Sequence, residues 1–239
     1  MFYTDIHSHM LCGVDDGATD EQMMRQMLDA AYRDGTRTLC LTPHFHPVYY
    51  GDNKNSSADA FARLSAYARE KYPDMRLSLA NELGYYTDCI PAIAGGACRL
   101  IGGKYLLMDF LPATPLFTIR YAMEEVLAHG YHVLLAHIDR YEALEGEEAL
   151  LSDWEMRGAR FQVNASAFAR RADRRDRRIV KKLMKHALVH VVASDAHNLT
   201  TRPPSLLEAE EVITARFGGD IARLLLSEFP TRIVNGEEF

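Results

Sequence analysis

The chain has 239 residues, 48% hydrophobic and 25% charged, which is enough apolar content for a large core. Its net charge of -6 argues against a nucleic-acid surface, which is usually basic. No apolar run approaches ~18 residues, and Met1–Asp5 lacks a basic region followed by an apolar stretch. Neither a membrane span nor a signal peptide is therefore expected, and the expected location is cytoplasmic.

Strand-like runs alternate with helix-like stretches from end to end. The strands are expected at Phe2–His7, Arg37–Leu41, Leu77–Asn81, Tyr105–Phe110, His132–His137, Arg160–Asn164 and His190–Ser194. The first helix is predicted over Asp20–Asp34, capped by Thr19 or Asp20 and stopped by Gly35. Asp59–Lys71 follows, and further helices are expected near Pro91–Gly95, Ile119–His129, Glu147–Arg157, Asp176–Ala187, Leu206–Phe217 and Asp220–Leu226. This alternation predicts an α/β fold with parallel strands and outer helices. Seven strands fit a closed or nearly closed barrel, with a doubly wound open sheet as the competing arrangement. With no repeat or linker in view, residues 1–239 read as one domain. The one long irregular stretch, Phe45–Ser57, is either a surface connection or a loop over a site.

Polar residues recur where these strands end. His7 and His9 close the first, His44 follows the second and Glu82 ends the third; Asp109 sits near the end of the fourth and His137 ends the fifth. Asn164 ends the sixth, and Asp195 and His197 the seventh, while Asp15-Asp16-Gly17 adds carboxylates after the first. A single His-x-His is often accidental, and a single carboxylate at a strand end usually caps a turn. In a parallel barrel, however, all C-terminal strand ends share one face, so these side chains are expected to meet. Imidazoles with carboxylates and no thiolate suit Mn²⁺, Fe or Zn²⁺ and leave room for two or three ions. Arg140 and Arg202 fall in loops of the same face, and guanidinium groups grip phosphate oxygens. Metal ions with arginines read as a phosphoester site.

Other chemistries are disfavoured. A thiolate phosphatase needs arginine six residues after its cysteine, but Cys12, Cys40, Cys89 and Cys98 are followed there by Ala18, His46, Gly95 and Lys104. None of the cysteines forms a C-x-x-C pair, so they are expected to be reduced, and there is no G-x-S-x-G for a serine triad. The basic run Arg170–Arg178, broken by Asp173 and Asp176, reads as a solvated helix start, with substrate docking left open.

Asp5-Ile6-His7-Ser8-His9, Asp15-Asp16-Gly17-Ala18, Thr42-Pro43-His44, Asn81-Glu82, His137-Ile138-Asp139-Arg140-Tyr141, Gln162-Val163-Asn164-Ala165 and Ala193-Ser194-Asp195-Ala196-His197 carry a resemblance. In order and over nearly the whole chain, they resemble the PHP (polymerase and histidinol phosphatase) superfamily. Within it they look like the metal-dependent protein-tyrosine phosphatases of capsule and exopolysaccharide loci. The resemblance implies a distorted (β/α)7 barrel and three divalent ions, Mn in first place. It implies that His7, His9, Glu82 and Asp195 hold one ion. Glu82, Asp109 and His137 would hold the second, and Asp16, His44 and His197 the third. Arg140 and Arg202 would bind phosphate, and the substrate would be the phosphotyrosine tail of a partner tyrosine kinase. Asp109 departs from the glutamate usual in that family and is one methylene shorter. Two alternatives stay open: a small phosphomonoester substrate such as histidinol phosphate, or a binding module without turnover. No general acid is assigned, although an uncoordinated His46 is a candidate.

Overall fold

The computed structural model describes residues 1–51 and 53–239. Its strands are β1 Tyr3–Asp5, β2 Thr36–Leu41, β3 His44–Phe45, β4 Arg76–Leu79, β5 Glu82–Gly84, β6 Tyr105–Asp109, β7 His132–Leu135, β8 Arg160–Asn164 and β9 Val191–Ala193. All pair in parallel, in the orders β1-β2-β4 and β3-β5-β6-β7-β8-β9. This is the expected α/β architecture, built in two sheet pieces.

Two expected strands are each followed by a short extra strand that the sequence reading did not include. Pro43 has no N–H to give a ladder, and β2 stops before it. Across the break Ala80 N–H donates to Leu41 O at 2.9 Å and Glu82 N–H to Pro43 O at 3.2 Å, while Asn81 N–H turns away to Arg99 O at 3.0 Å. The Asn81 amide also donates to Pro43 O at 3.1 Å. Glu82 thus opens β5 instead of ending a strand, and His44 begins β3. The first strand also ends early, at Asp5 rather than His7. Beyond it, Asp195 N–H donates to His7 O at 2.9 Å and His9 N–H to Ala196 O at 2.8 Å. The Ser8–Ala196 bridge so joins the chain after β1 to the chain after β9.

Side chains alternate across the strands as period two requires. In β6, Leu106 and Met108 join the large cluster under the outer helices, while Tyr105 and Leu107 join an inner cluster with Ile6, Cys40, Leu134, Val191 and Ala193. Asp109 is the next residue of the inner series. The inner cluster is an apolar plug, and polar residues continue its faces at the strand ends.

The helices follow their local signals. Asp20, not Thr19, caps Glu21–Asp34 by accepting from Met23 N–H at 2.8 Å, and Gly35 ends it at φ 115°. The second helix spans Lys54–Lys71, so it starts earlier than expected and absorbs the end of the irregular stretch. Its first turn is closed by Ser56 and Ser57 hydroxyls donating to Asn53 O at 3.0 and 2.5 Å. Asp52, within the expected loop, lies outside the described residues. Sequence patterning also misses the helix Phe229–Val234, which follows a wide π turn at Leu224–Glu228.

Gly17 shows how tightly the first loop is wound. A Cβ there would lie 1.8 Å from His9 O, which Ala18 N–H engages at 3.1 Å. Gly17→Ala is therefore expected to cost at least ~1–3 kcal/mol of stability. An unchanged midpoint in urea denaturation would show that the loop does not need this approach.

Candidate metal centre

Four imidazoles at this face are held the same way round. His7 Nδ1 lies 3.0 Å from Gln162 Oε1, and His9 Nδ1 2.7 Å from Asp15 Oδ2. His197 Nδ1 lies 2.9 Å from the Asp195 carbonyl, and His137 Nδ1 3.2 Å from the Tyr141 hydroxyl. The first three partners only accept, so each of those rings carries its proton on Nδ1. The Gln162 orientation follows from its neighbours. Asn164 Nδ2 donates to the Asp195 carboxylate at 2.9 Å, so its Oδ1 accepts from Gln162 Nε2 at 2.8 Å. That leaves Gln162 Oε1 facing His7 Nδ1 and the His137 N–H, the latter at 2.8 Å.

Tyr141 completes the set. Its buried hydroxyl has one proton and two lone pairs. It accepts from Phe110 N–H at 3.2 Å and donates to Asp109 Oδ1 at 3.1 Å. The remaining lone pair takes the His137 Nδ1 proton. In all four rings Nε2 is then a bare lone pair pointing inward.

These lone pairs meet carboxylates. His7 Nε2 and His9 Nε2 are 3.1 Å apart, and each lies 3.2 Å from Glu82 and 3.5 Å from Asp195 Oδ1. His137 Nε2 lies 3.1 Å from Glu82 and 3.4 Å from Asp109. His44 reaches Glu82 with Nδ1 at 2.9 Å and Asp16 with Nε2 at 3.5 Å; His197 Nε2 is 3.4 Å from Asp16. Neutral lone pairs and anionic oxygens at such distances repel unless positive charge lies among them. Asp195 Oδ1 and His197 Nε2 are buried with no hydrogen-bond partner. Three ligand groupings fit an ion: His9, Asp16, His44, His197; His7, His9, Asp195; and His44, Glu82, Asp109. The donor set therefore fits divalent cations.

Proton affinities express the same demand. Burial pulls His9 down, but Asp15 and Glu82 outweigh it and hold the ring well above its ordinary value. Burial likewise opposes His137, which Glu82 and Asp109 raise. Where protons stand in for metal on the imidazoles, His7 and His44 hold Glu82 well below the carboxylate range against burial, and His7, His137 and His9 do the same for Asp195. Asp109 moves the other way, raised by burial and by its neighbour Glu82.

All nine side chains expected to bind metal thus lie in one cluster, the shorter Asp109 included. Arg140 and Arg202 converge on one oxygen beside it, Asp195 Oδ2, at 3.2 and 2.5 Å. Their half-exposed side chains leave donors free for a ligand. Sequence reasoning counted Asp15 only as an added loop carboxylate and gave Gln162 and Tyr141 no role, so the orienting function of all three was missed. Gln162 stands two residues before Asn164 on β8, hence on the same face, and that was the available signal.

Two clefts flank the cluster. One, of about 310 Å³, begins at His44 and Asp109 and is walled by Tyr49, Tyr50, Tyr85 and Phe110. His46 lies in it, with Nδ1 accepting from Val48 N–H at 3.2 Å and Tyr49 N–H at 3.4 Å. The other, of about 300 Å³, is lined by Arg140, Asn164, Ser194 and Arg202. A larger cavity of about 470 Å³ adjoins Arg160 and His190, at the opposite ends of β8 and β9, and shares no residue with the cluster.

The chain has relatives among known proteins. The chain is 28% identical over 236 residues to the tyrosine-protein phosphatase CpsB of Streptococcus pneumoniae, covering 96% of this chain and 97% of that one. It is 28% identical over 230 residues to CpsB of Streptococcus agalactiae, covering 94% and 95%. A solved structure of the metal-dependent tyrosine phosphatases YwqE from Bacillus subtilis and CpsB from S. pneumoniae superposes with a TM-score of 0.86 at 25% identity, covering 99% and 96%. A histidinol phosphate phosphatase from Lactococcus lactis shares the fold, with a TM-score of 0.59 at 16% identity over 92% and 94%. The family of capsular polysaccharide synthesis proteins CpsB/CapC matches residues 3–235, and the chain belongs to it.

Proposed function

We propose that the protein is a metal-dependent protein-tyrosine phosphatase. The observation that carries this reading is the set of inward Nε2 lone pairs, converging with carboxylates beside two arginines that share Asp195 Oδ2. The named activities of its CpsB relatives support it.

In this reading His7, His9, Glu82 and Asp195 hold one ion; Glu82, Asp109 and His137 a second; and Asp16, His44 and His197 a third, with Mn²⁺ the first choice. Bound ions would supply Lewis acidity and lower the pKa of a water toward neutrality. Arg140 and Arg202 hold the phosphoryl oxygens and offset the charge that grows on them. The aromatic cleft at Tyr49, Tyr50, Tyr85 and Phe110 takes the tyrosyl ring, whose size and flat faces suit such walls. The departing phenolate has a conjugate-acid pKa near ~10, so it requires less help from a general acid than an alkoxide would. Burial lowers the His46 pKa and disfavours its protonated form, so it enters this scheme chiefly as a cleft wall. The substrate in the cell is a phosphotyrosine protein of capsule or exopolysaccharide synthesis, namely the tail of a partner tyrosine kinase. The site of action is the cytoplasm. Among the described residues no helix is long and apolar enough to cross a membrane.

With Mn²⁺ the protein is expected to hydrolyse a phosphotyrosine peptide in preference to a phosphoserine peptide or histidinol phosphate, and to stop when chelator is added. Faster turnover of histidinol phosphate would reassign the substrate. Arg140→Ala is expected to lower kcat on the order of 10²-fold. His7→Ala should lose both bound metal and turnover, and full activity in both variants would remove the site assignment.

Tyr141→Phe deletes the hydroxyl that orients Asp109 and His137. Metal affinity is expected to fall roughly 10–100-fold at the second position, read by elemental analysis after dialysis against a graded metal buffer. Unchanged metal content would leave Tyr141 a packing residue only.

A further inference from the structure

The basic run Arg170–Arg178 is mostly spoken for. Arg170 pairs with Glu211 at 2.5 Å. Arg175 and Arg178 grip opposite oxygens of Glu145 at 2.7 and 2.9 Å, and Arg177 caps Ala172 O at 2.8 Å. Among the described residues Arg171 and Arg174 make no hydrogen bond or ion pair, and of the two it is Arg171 that lines the polar cleft with Arg140 and Arg202. That cleft begins at Asn164 and Ser194, beside the two arginines that meet on Asp195 Oδ2.

The lining brings three arginines together against one carboxylate, Glu208, in a chain whose net charge is -6. Glu208 is already engaged by the Arg170 N–H at 3.0 Å. A free guanidinium in a cleft of about 300 Å³, next to the place where a phosphoryl group is held, calls for a second anion on the same ligand. Neighbouring residues of an extended peptide are ~3.3–3.6 Å apart along the chain, so a long acidic side chain one or two positions away spans such a cleft.

We propose that Arg171 is a specificity-determining residue that binds an anionic side chain flanking the phosphotyrosine. This rests on the phosphatase reading and adds to it a preference for acidic sequence around the target. The binding chemistry is that of a carboxylate or a second phosphate on the same polypeptide.

The test compares phosphotyrosine peptides that carry glutamine, glutamate or a second phosphotyrosine beside the target, on either side. p-Nitrophenyl phosphate, which has no flank, serves as reference. The full-length protein with Mn²⁺ is expected to favour an anionic flank over glutamine roughly fivefold in kcat/KM, as suits one partly exposed charge pair, and to lose that preference at high salt. Arg171→Gln should abolish the preference and Arg171→Glu invert it, while turnover of p-nitrophenyl phosphate stays within about twofold. A preference confined to the doubly phosphorylated peptide supports the proposal and identifies phosphate as the anion. Equal rates on all peptides in the wild-type protein, or an undiminished preference in Arg171→Gln, overturn it. If the wild-type protein hydrolyses no aryl phosphate at all, the phosphatase reading fails and this proposal falls with it.

Discussion

The outward tether on four of the five imidazoles governs everything else at this site. A histidine free to rotate or change tautomer would meet the buried carboxylates by donating a proton to them, and the cluster would collapse into neutral hydrogen bonds. Gln162, Asp15, Tyr141 and the Asp195 carbonyl prevent this by occupying Nδ1. What remains is a cage of electron pairs that is satisfied only by positive charge. Protons can supply it, as the raised affinities of His9 and His137 indicate. Protons and metal ions therefore compete for the same atoms, so loading releases protons and tightens as pH rises.

The fold makes that cage possible by separating two jobs along each strand. The lower inner faces, at Cys40, Leu107, Leu134 and Val191, fill the interior with apolar bulk. The same alternation, carried to the strand ends, presents Asp109 and Asn164 on that inner side. Regularity fails only where the ladder would place a ligand wrongly. Pro43 breaks one strand and Asn81 the next, and the resulting irregular stretch brings His44 and Glu82 into neighbouring register.

Much of this was legible in the sequence because it depends on periodicity. The alternation of elements, the helix cap at Asp20 and the placing of polar residues after apolar runs all follow from local rules. Strand ends were misjudged at His7 and Asn81 because pairing there is set by distant partners, Asp195 and Arg99, which no local pattern encodes. The ligand types stood out because histidine and carboxylate are unusual after apolar runs. Their orienting partners did not, because glutamine and tyrosine are unremarkable until a hydroxyl is seen with every lone pair committed. The early start of the helix at Lys54 was hidden for a different reason, since Asn53, Ser56 and Ser57 are ordinary loop residues that here close a first turn.

The bridge between Ser8 and Ala196 has a consequence for how the molecule is made. His7 and Asp195 come from opposite ends of the chain, yet they share one hydrogen-bonded seam. A ribosome must release almost the entire polypeptide before that seam can close. Until then the early histidines are tethered to no complete cage, and contacts of such long sequence separation are the slow ones to form. The ligands on the two sides of this seam can therefore come together only after the strands between them have been made.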